Sequence, residues 1–422
     1  LHRFRTFGFR SRLKIGLVAA VLLGAWLTLG GGPAVWANPR ASAEFAVATD
    51  AKLEQAGEVV RLTMALSRPI TISTSVIAGP DRVIIDLPSV NFQVQPSAIR
   101  SSAGFVSAFR FGLFTPERSR IVIDLSQPAI VARAEVRSRR GGFGELVIEL
   151  KRVSRAEFQA AVRESASKRP EAIASAVEPA PPAGDSRQVV VIDPGHGGID
   201  PGAVVTSIAE KTVVLAFGQA LRDTLAATGR YRVVMTRDDD RFVPLGERVR
   251  IARAAGANLF VSIHADSLTQ AQEVRGATVY TGSERATDAE SARLAAKENA
   301  ADAVAGLDSS EDIQDVAGIL MDLAKRETRT FSSVFARNLV EKLGGSVKMH
   351  KVPLRSAGFR VLSAPDVPSV LIELGYMSSP KDAELLNSPA WRTQAVTAVH
   401  AAIDGYFEQA RAPGGKAAEN RR

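Results

Sequence analysis

Cysteine is absent from the chain. That excludes disulfides and thiolate metal sites, so an exported protein of this kind draws its stability from packed core. Any metal must then be held by His, Asp and Glu. Histidine is scarce too, with five in 422 residues. The longest apolar run, "IGLVAAVLLGAWLTLG", has 16 residues, short for a membrane span of about 20. It lies between the basic, acid-free "RFRTFGFRSRLK" and "GGPAVWANP", with Val35 and Ala37 at the small-residue positions of a cleavage site. This three-part pattern reads as a secretory signal over residues 1–37, removed near Ala37, with an uncleaved anchor as the alternative. No Arg-Arg pair occurs there, which favours the general export route. Export predicts a periplasmic protein with no stable membrane anchor after cleavage. Five basic residues and no acid leave with the signal, lowering the formal net charge from +8 to +3. So mild an excess gives no ground for a nucleic acid partner.

What remains is ordinary for globular protein, at 45% hydrophobic and 23% charged, and the length suggests two or three domains. Residues 44–153 read as a small all-β sandwich. Alternating runs such as "EVVRLTMALS", "DRVIIDLP", "SRIVIDLS" and "GELVIELKRV" are parted by turn signals at sandwich spacing. No His occurs in this stretch, which points to binding and away from catalysis. Residues 154–187 open on a helical piece and pass into "RPEAIASAVEPAPPAGDS", the composition of a linker. Residues 188–410 alternate strands ("QVVVID", "YRVVMT", "NLFVSIH", "ATVYT", "FRVL", "SVLIEL") with helices. That alternation predicts an α/β domain with a mostly parallel sheet and helices on both faces. Residues 411–422 read as a disordered tail.

In open α/β sheets, functional groups collect at the carboxyl ends of strands. His196 follows "VVVID" on a glycine-rich turn, His264 ends "LFVSIH", Glu373 lies near the end of "SVLIEL", and Glu210 opens a helix in "SIAEK". Two histidines and a carboxylate suit a catalytic zinc site with one open position. A second carboxylate then serves as general base and acid. A structural role for each His is the bland alternative. His350 reads as a surface residue, His400 as one that packs or caps a core on an amphipathic helix, and His2 leaves with the signal.

The segments "VVVIDPGHGGIDPGA", "AEK", "TRDDD", "LGERVRIAR", "ANLFVSIHAD", "PLRSAGFRVL" and "PSVLIELGYMSSPKD" together resemble the zinc-dependent N-acetylmuramoyl-L-alanine amidases. The resemblance spans residues 188 to about 408, and the β-module looks like the AMIN domain found ahead of such amidases. It implies one Zn2+ on His196, Glu210 and His264, with Glu373 as the catalytic glutamate. It implies a peptidoglycan substrate, cut at the amide between N-acetylmuramic acid and L-alanine, in splitting of the septal wall. Zinc in such a site polarises a carbonyl and acidifies water. Arg355 and Arg237 are candidates for orienting substrate, with structural roles as the alternative. A zinc peptidase cutting within the stem peptide and an inactive wall-binding protein are the competing functions.

Residues 284–327 are too long for an ordinary α/β connection and read as an insertion. Its Ala- and Glu-rich first part predicts a helix, which Gly306 can end. Its second part places Val316, Ile319, Leu320 and Leu323 at i, i+3, i+4 and i+7, one apolar face of a short helix. A pair of helices packed on the domain is the plain reading. The septal subset of the resembled family implies a sharper one, in which the insertion blocks the active site. Glu298 then fills the open zinc position, with Asp266 as a further oxygen ligand. The apolar face becomes the grip of a LytM-type activator protein.

Overall fold

The computed structural model describes residues 45–94, 102–115, 117–167, 185–205, 208–268, 273–307 and 319–411. The expected signal, the Pro-rich part of the linker and the expected tail lie outside them, as does Val316. Among the described residues no helix is long and apolar enough to cross a membrane.

The first domain is a two-sheet sandwich. Its strands are β1 (Ala46–Ala56), β2 (Val59–Leu66), β3 (Ser73–Ile77), β4 (Arg82–Pro88), β5 (Val90–Phe92), β6 (Val106–Thr115), β7 (Arg118–Leu125), β8 (Ala129–Ser138) and β9 (Gly144–Arg152). The sheets run β5-β1-β2-β9-β8 and β3-β4-β7-β6. Period-two alternation turns Val60, Leu62, Met64 and Leu66 of β2 inward, onto Phe109, Ile121 and Ile148. Helix α1 (Arg155–Ser167) opens the stretch expected as linker, yet it belongs to the sandwich. Phe158 is fully buried in that core, and Ser165 Oγ accepts the Val76 N–H at 3.0 Å. The helical period of "RAEFQAAVRESASK" was legible, but its docking partner was not.

The second domain contains β10 (Gln188–Pro194), β11 (Val204–Val205), β12 (Ile208–Ala209), α2 (Glu210–Ala227), β13 (Tyr231–Met235), α3 (Leu245–Ala254), β14 (Leu259–His264) and β15 (Ala277–Gly282). It continues with α4 (Ala289–Glu298), α5 (Ala301–Val304), α6 (Ile319–Gly344), β16 (Met349–Ala357), β17 (Ser369–Glu373), α7 (Pro380–Leu386) and α8 (Pro389–Arg411). The main sheet has the order β13-β10-β14-β17-β15-β16. All its pairings are parallel except β15 with β17. Both faces are covered, which is why the central strands read as continuous apolar runs. Val190 and Ile192 of β10 pack with Phe217 of α2, Phe335 of α6 and Val399 of α8. Val189 and Val191 pack on the opposite face with Leu245 of α3 and Leu294 of α4.

Two expectations are corrected here. "FRVL" is not a strand, since Arg360–Leu362 form a 3-10 turn whose Val361 and Leu362 are buried beneath α3. The strand is β16, just before it. Its Pro353 sits at a register shift on the sheet edge, where a missing N–H costs little. The second half of the insertion is not a separate short helix either. Ile319, Leu320 and Leu323 occupy the first turns of the long helix α6. The first half is helical as read, in two pieces, and Gly306 ends it with φ +74°.

The sandwich docks on the second domain and on the insertion together. Ile84, Phe114 and Val122 from the sandwich form one apolar cluster with Ile199, Phe242 and Ala305. The Phe114 and Phe242 rings stack at 6.1 Å. Arg110 Nε donates to the Val304 carbonyl and Arg120 Nη1 to the Ala305 carbonyl, both at 2.9 Å. Gly198 is required at this seam, because a Cβ there would fall 1.9 Å from the Leu113 carbonyl oxygen.

Candidate active site

His196 lies two residues beyond β10, in a left-handed conformation with φ +58°. This is uncommon for a residue with a Cβ and costs about 1–3 kcal/mol, so the surroundings must impose it. Two buried arginines do so. Arg248 donates to Asp193 Oδ1, to the Pro194 carbonyl and to the His196 carbonyl at 2.7–2.8 Å. Arg237, fully buried, donates to the carbonyls of Pro194, Gly195, Lys211 and Asp239. Burial, with the like charge of Arg248, depresses Arg237 to about 10. Of the two roles open to Arg237, the structure shows the structural one, since all these hydrogen bonds go to backbone oxygen.

His264 closes β14 and Glu373 closes β17, and the two are register partners on adjacent parallel strands. Glu210 is the first residue of α2, where the helix dipole favours a carboxylate. Backbone N–H groups of Ala203 and Ala265 hold its two oxygens at 2.9 and 2.8 Å. The imidazoles meet edge to face, with centroids 4.9 Å apart. Gly195 leaves room for this, because a Cβ there would lie 2.4 Å from His264 Cε1.

Two carboxylates face the two rings. Glu210 Oε1 is 3.1 Å from His196 Nε2 and 3.3 Å from His264 Nδ1. Glu298, from the end of α4, brings Oε2 to 3.5 and 3.1 Å of the same nitrogens. All four side chains are buried. Burial works to depress both imidazoles. Against it, Glu210, Asp200 and Glu298 hold His196 well above its ordinary value, and Glu298 and Glu210 raise His264 to about 10.

A metal fits this arrangement. Among the described residues, His196 Nε2, His264 Nδ1 and Glu298 Oε1 are buried without a hydrogen-bond partner. Ligand atoms of His196, His264 and Glu298 lie within 4.8 Å of one another. His196 Nδ1 is bonded to Asp200 Oδ2 at 2.8 Å. With Nδ1 donating to this carboxylate, a neutral His196 would present Nε2 inward as a lone pair, the usual support of a metal-binding imidazole. Sequence reading missed Asp200, although it stands four residues past the histidine in "HGGID".

Glu373 is fully buried beside this group. Its Oε2 accepts the Asp266 N–H at 3.0 Å, and its Oε1 has no hydrogen-bond partner among the described residues. Burial pushes its carboxyl well above the ordinary range, opposed by His264 and reinforced by Asp266, Glu210 and Glu298. Asp266 is placed otherwise than expected of a ligand, because its carboxylate pairs with Lys297 of α4. Arg355 is also buried, held by Glu290 at 3.2 Å and Asp288 at 3.7 Å, both from the insertion. His350 is half-buried and bonds to Val352 and Arg355, so it is less exposed than its sequence context suggested. His400 lies on α8 with Nε2 3.3 Å from Asp404.

Comparison with known proteins bears on this geometry. The profile of the family described as N-acetylmuramoyl-L-alanine amidase matches residues 190–405, and that of the AMIN domain matches residues 50–150. The chain is 31% identical over 369 residues to N-acetylmuramoyl-L-alanine amidase AmiC of Escherichia coli O6:H1, covering 83% of this chain and 87% of that protein. It is 32% identical over 376 residues to N-acetylmuramoyl-L-alanine amidase AmiC of Neisseria meningitidis serogroup B, covering 85% and 89%. The solved structure of N-acetylmuramoyl-L-alanine amidase AmiC2 of Nostoc punctiforme is 28% identical with a TM-score of 0.38, covering 52% of this chain and 97% of that one.

Proposed function

This chain belongs to the N-acetylmuramoyl-L-alanine amidase family and carries an AMIN domain, and from that premise we propose that it is a zinc-dependent peptidoglycan hydrolase held at rest by its own insertion. The bond cut joins the lactyl carbonyl of N-acetylmuramic acid to the nitrogen of L-alanine. One observation carries the reading: two buried imidazoles turn partnerless nitrogens onto Glu210 and Glu298, with Glu373 alongside.

His196, Glu210 and His264 are the resident ligands in this reading. Zinc there supplies Lewis-acid polarisation and acidifies water. Asp200 keeps His196 in the required tautomer, and the Ala203 and Ala265 N–H groups fix Glu210. Glu373 takes the proton of the attacking water and delivers it to the departing nitrogen. The carbonyl carbon gains oxygen, the C–N bond breaks, and the products are a lactyl carboxylate and a free alanine amine. Glu298 closes the site in the resting protein. A LytM-type activator gripping Ile319, Leu320 and Leu323, with Val316 before them, removes it. The protein works in the periplasm, after export by its signal, at the septum.

Mass spectrometry of digested sacculi tests the bond. Intact stem peptides with a free L-alanine amine are expected, whereas fragments cut within the stem support a peptidase. Deleting residues 286–326, or Glu298→Ala, should raise basal hydrolysis of sacculi without any partner. Leu320→Lys should leave basal hydrolysis low and abolish activation. A folded, metal-loaded deletion protein no faster than the intact chain removes autoinhibition from the account.

The AMIN domain is proposed to bind peptidoglycan and place the enzyme. It lacks histidine, and among its described residues no group of metal-ligating side chains gathers, which is in keeping with a binding role. The intact protein should sediment with sacculi, and a chain lacking the sandwich should sediment less. Equal sedimentation of the two assigns wall binding to the catalytic domain.

A further inference from the structure

Arg355 is a buried cation whose partners come from a segment that this reading requires to leave. Its guanidinium lies 3.2 Å from Glu290 and 3.7 Å from Asp288, on and just before α4. Its hydrogen bonds go to the Val352 carbonyl and the His350 ring of its own strand. Removal of α4 therefore takes both carboxylates from this guanidinium and opens it, leaving a cation that a ligand carboxylate can pair with in their place.

The sheet sets where that carboxylate must be. Thr278 is the register partner of Glu373, and Tyr280 that of Arg355. Positions two apart on β15 share a face, so Glu373 and Arg355 stand on the same side of the sheet. Two strand spacings across and two residues along place their Cα atoms about 12 Å apart. On α4, Glu290 and Glu298 are eight residues apart, also about 12 Å along a helix axis. The insertion thus carries two acids at the spacing of the two sites. An extended peptide covers about 12 Å in three to four residues. On the glycan side of the scissile amide the lactyl carboxyl is consumed in the bond itself. Free carboxylates follow on the peptide side.

We propose that Arg355 anchors a stem-peptide carboxylate some three residues beyond the scissile amide, and that Glu290 occupies this anchor at rest as Glu298 occupies the catalytic centre. The insertion is then a substrate mimic at two points. The anchor also sets direction, laying the peptide toward the β16 edge and the glycan away from it. This rests on the amidase reading but is tested by binding, independently of turnover.

The experiment titrates full-length Glu290→Ala/Glu298→Ala protein, in which the anchor is empty, with the free stem tripeptide and with the same tripeptide carrying its side-branch carboxylates as amides. With Arg355 intact, amidation should weaken binding by about 10–100-fold. In the same background with Arg355→Ala the two peptides should bind alike, and Arg355→Lys should recover part of the difference. Equal binding of both peptides with Arg355 intact, or no binding of either, overturns the proposal. So does an unchanged amidation penalty after Arg355→Ala. If Arg355→Ala does not fold, the comparison with Arg355 intact still decides. Peptide binding by a protein that releases no stem peptide from sacculi would retain the anchor and remove the amidase mechanism, so the two failures are distinguishable.

Discussion

Glu373→Gln protein is expected to hold its metal and lose about 10²–10⁴-fold in rate, the usual worth of a positioned general acid-base group. The effect should be read in a Glu298→Ala background, where the proposed resting block is absent. The substitution conserves size in a pocket where the side chain is fully buried. An amide oxygen can still accept the Asp266 N–H that now bonds Oε2, so the fold is preserved. What is lost is the site that takes a proton from water and returns it to nitrogen. The loss corresponds to about 2.7–5.5 kcal/mol of barrier. Single-turnover rates on sacculi, with zinc content measured on the same sample, check it. Unchanged rates place the base elsewhere, and loss of zinc makes Glu373 a ligand.

His264→Ala should have the larger effect on the metal, taking zinc stoichiometry from about one to about zero and hydrolysis to background. Removing one of the three proposed ligands leaves His196 and Glu210 without the tetrahedral set that zinc prefers. The fold should survive, since His264 closes a strand whose core residues are Leu259, Phe260, Val261 and Ile263. Folding and metal loss are separated by thermal melts with and without added zinc. Ligand binding to the native state raises Tm, so the intact protein should shift on zinc addition and the variant should not. A variant that keeps stoichiometric zinc and normal turnover assigns the site to other residues.

The four residues His196, Glu210, His264 and Glu373 were legible because each marks the end of a strand or the start of a helix, and strand ends were readable from apolar runs. The supports were not legible. Arg248 and Arg237 act on backbone carbonyls far away in sequence, and no local pattern reports that. Lys297 takes Asp266, a pairing that depends on how α4 lies across the sheet. "FRVL" has strand-like residues but is buried as a turn, while β16, interrupted by Pro353, did not look like a strand. In both cases tertiary packing overrode local preference.

The seam between the sandwich and the insertion changes what a truncation measures. Arg110 and Arg120 hold the carbonyls of Val304 and Ala305, six and seven residues past Glu298, and Phe114 covers Phe242 and Ile199 beside the His196 loop. Cutting the chain at the linker removes two donors from the insertion and wets an apolar patch next to the His196 loop. The idle rate of an isolated catalytic half and that of the whole protein are therefore different quantities. By reciprocal linkage, any ligand that favours the undocked sandwich also loosens the insertion, and release of the insertion favours that ligand.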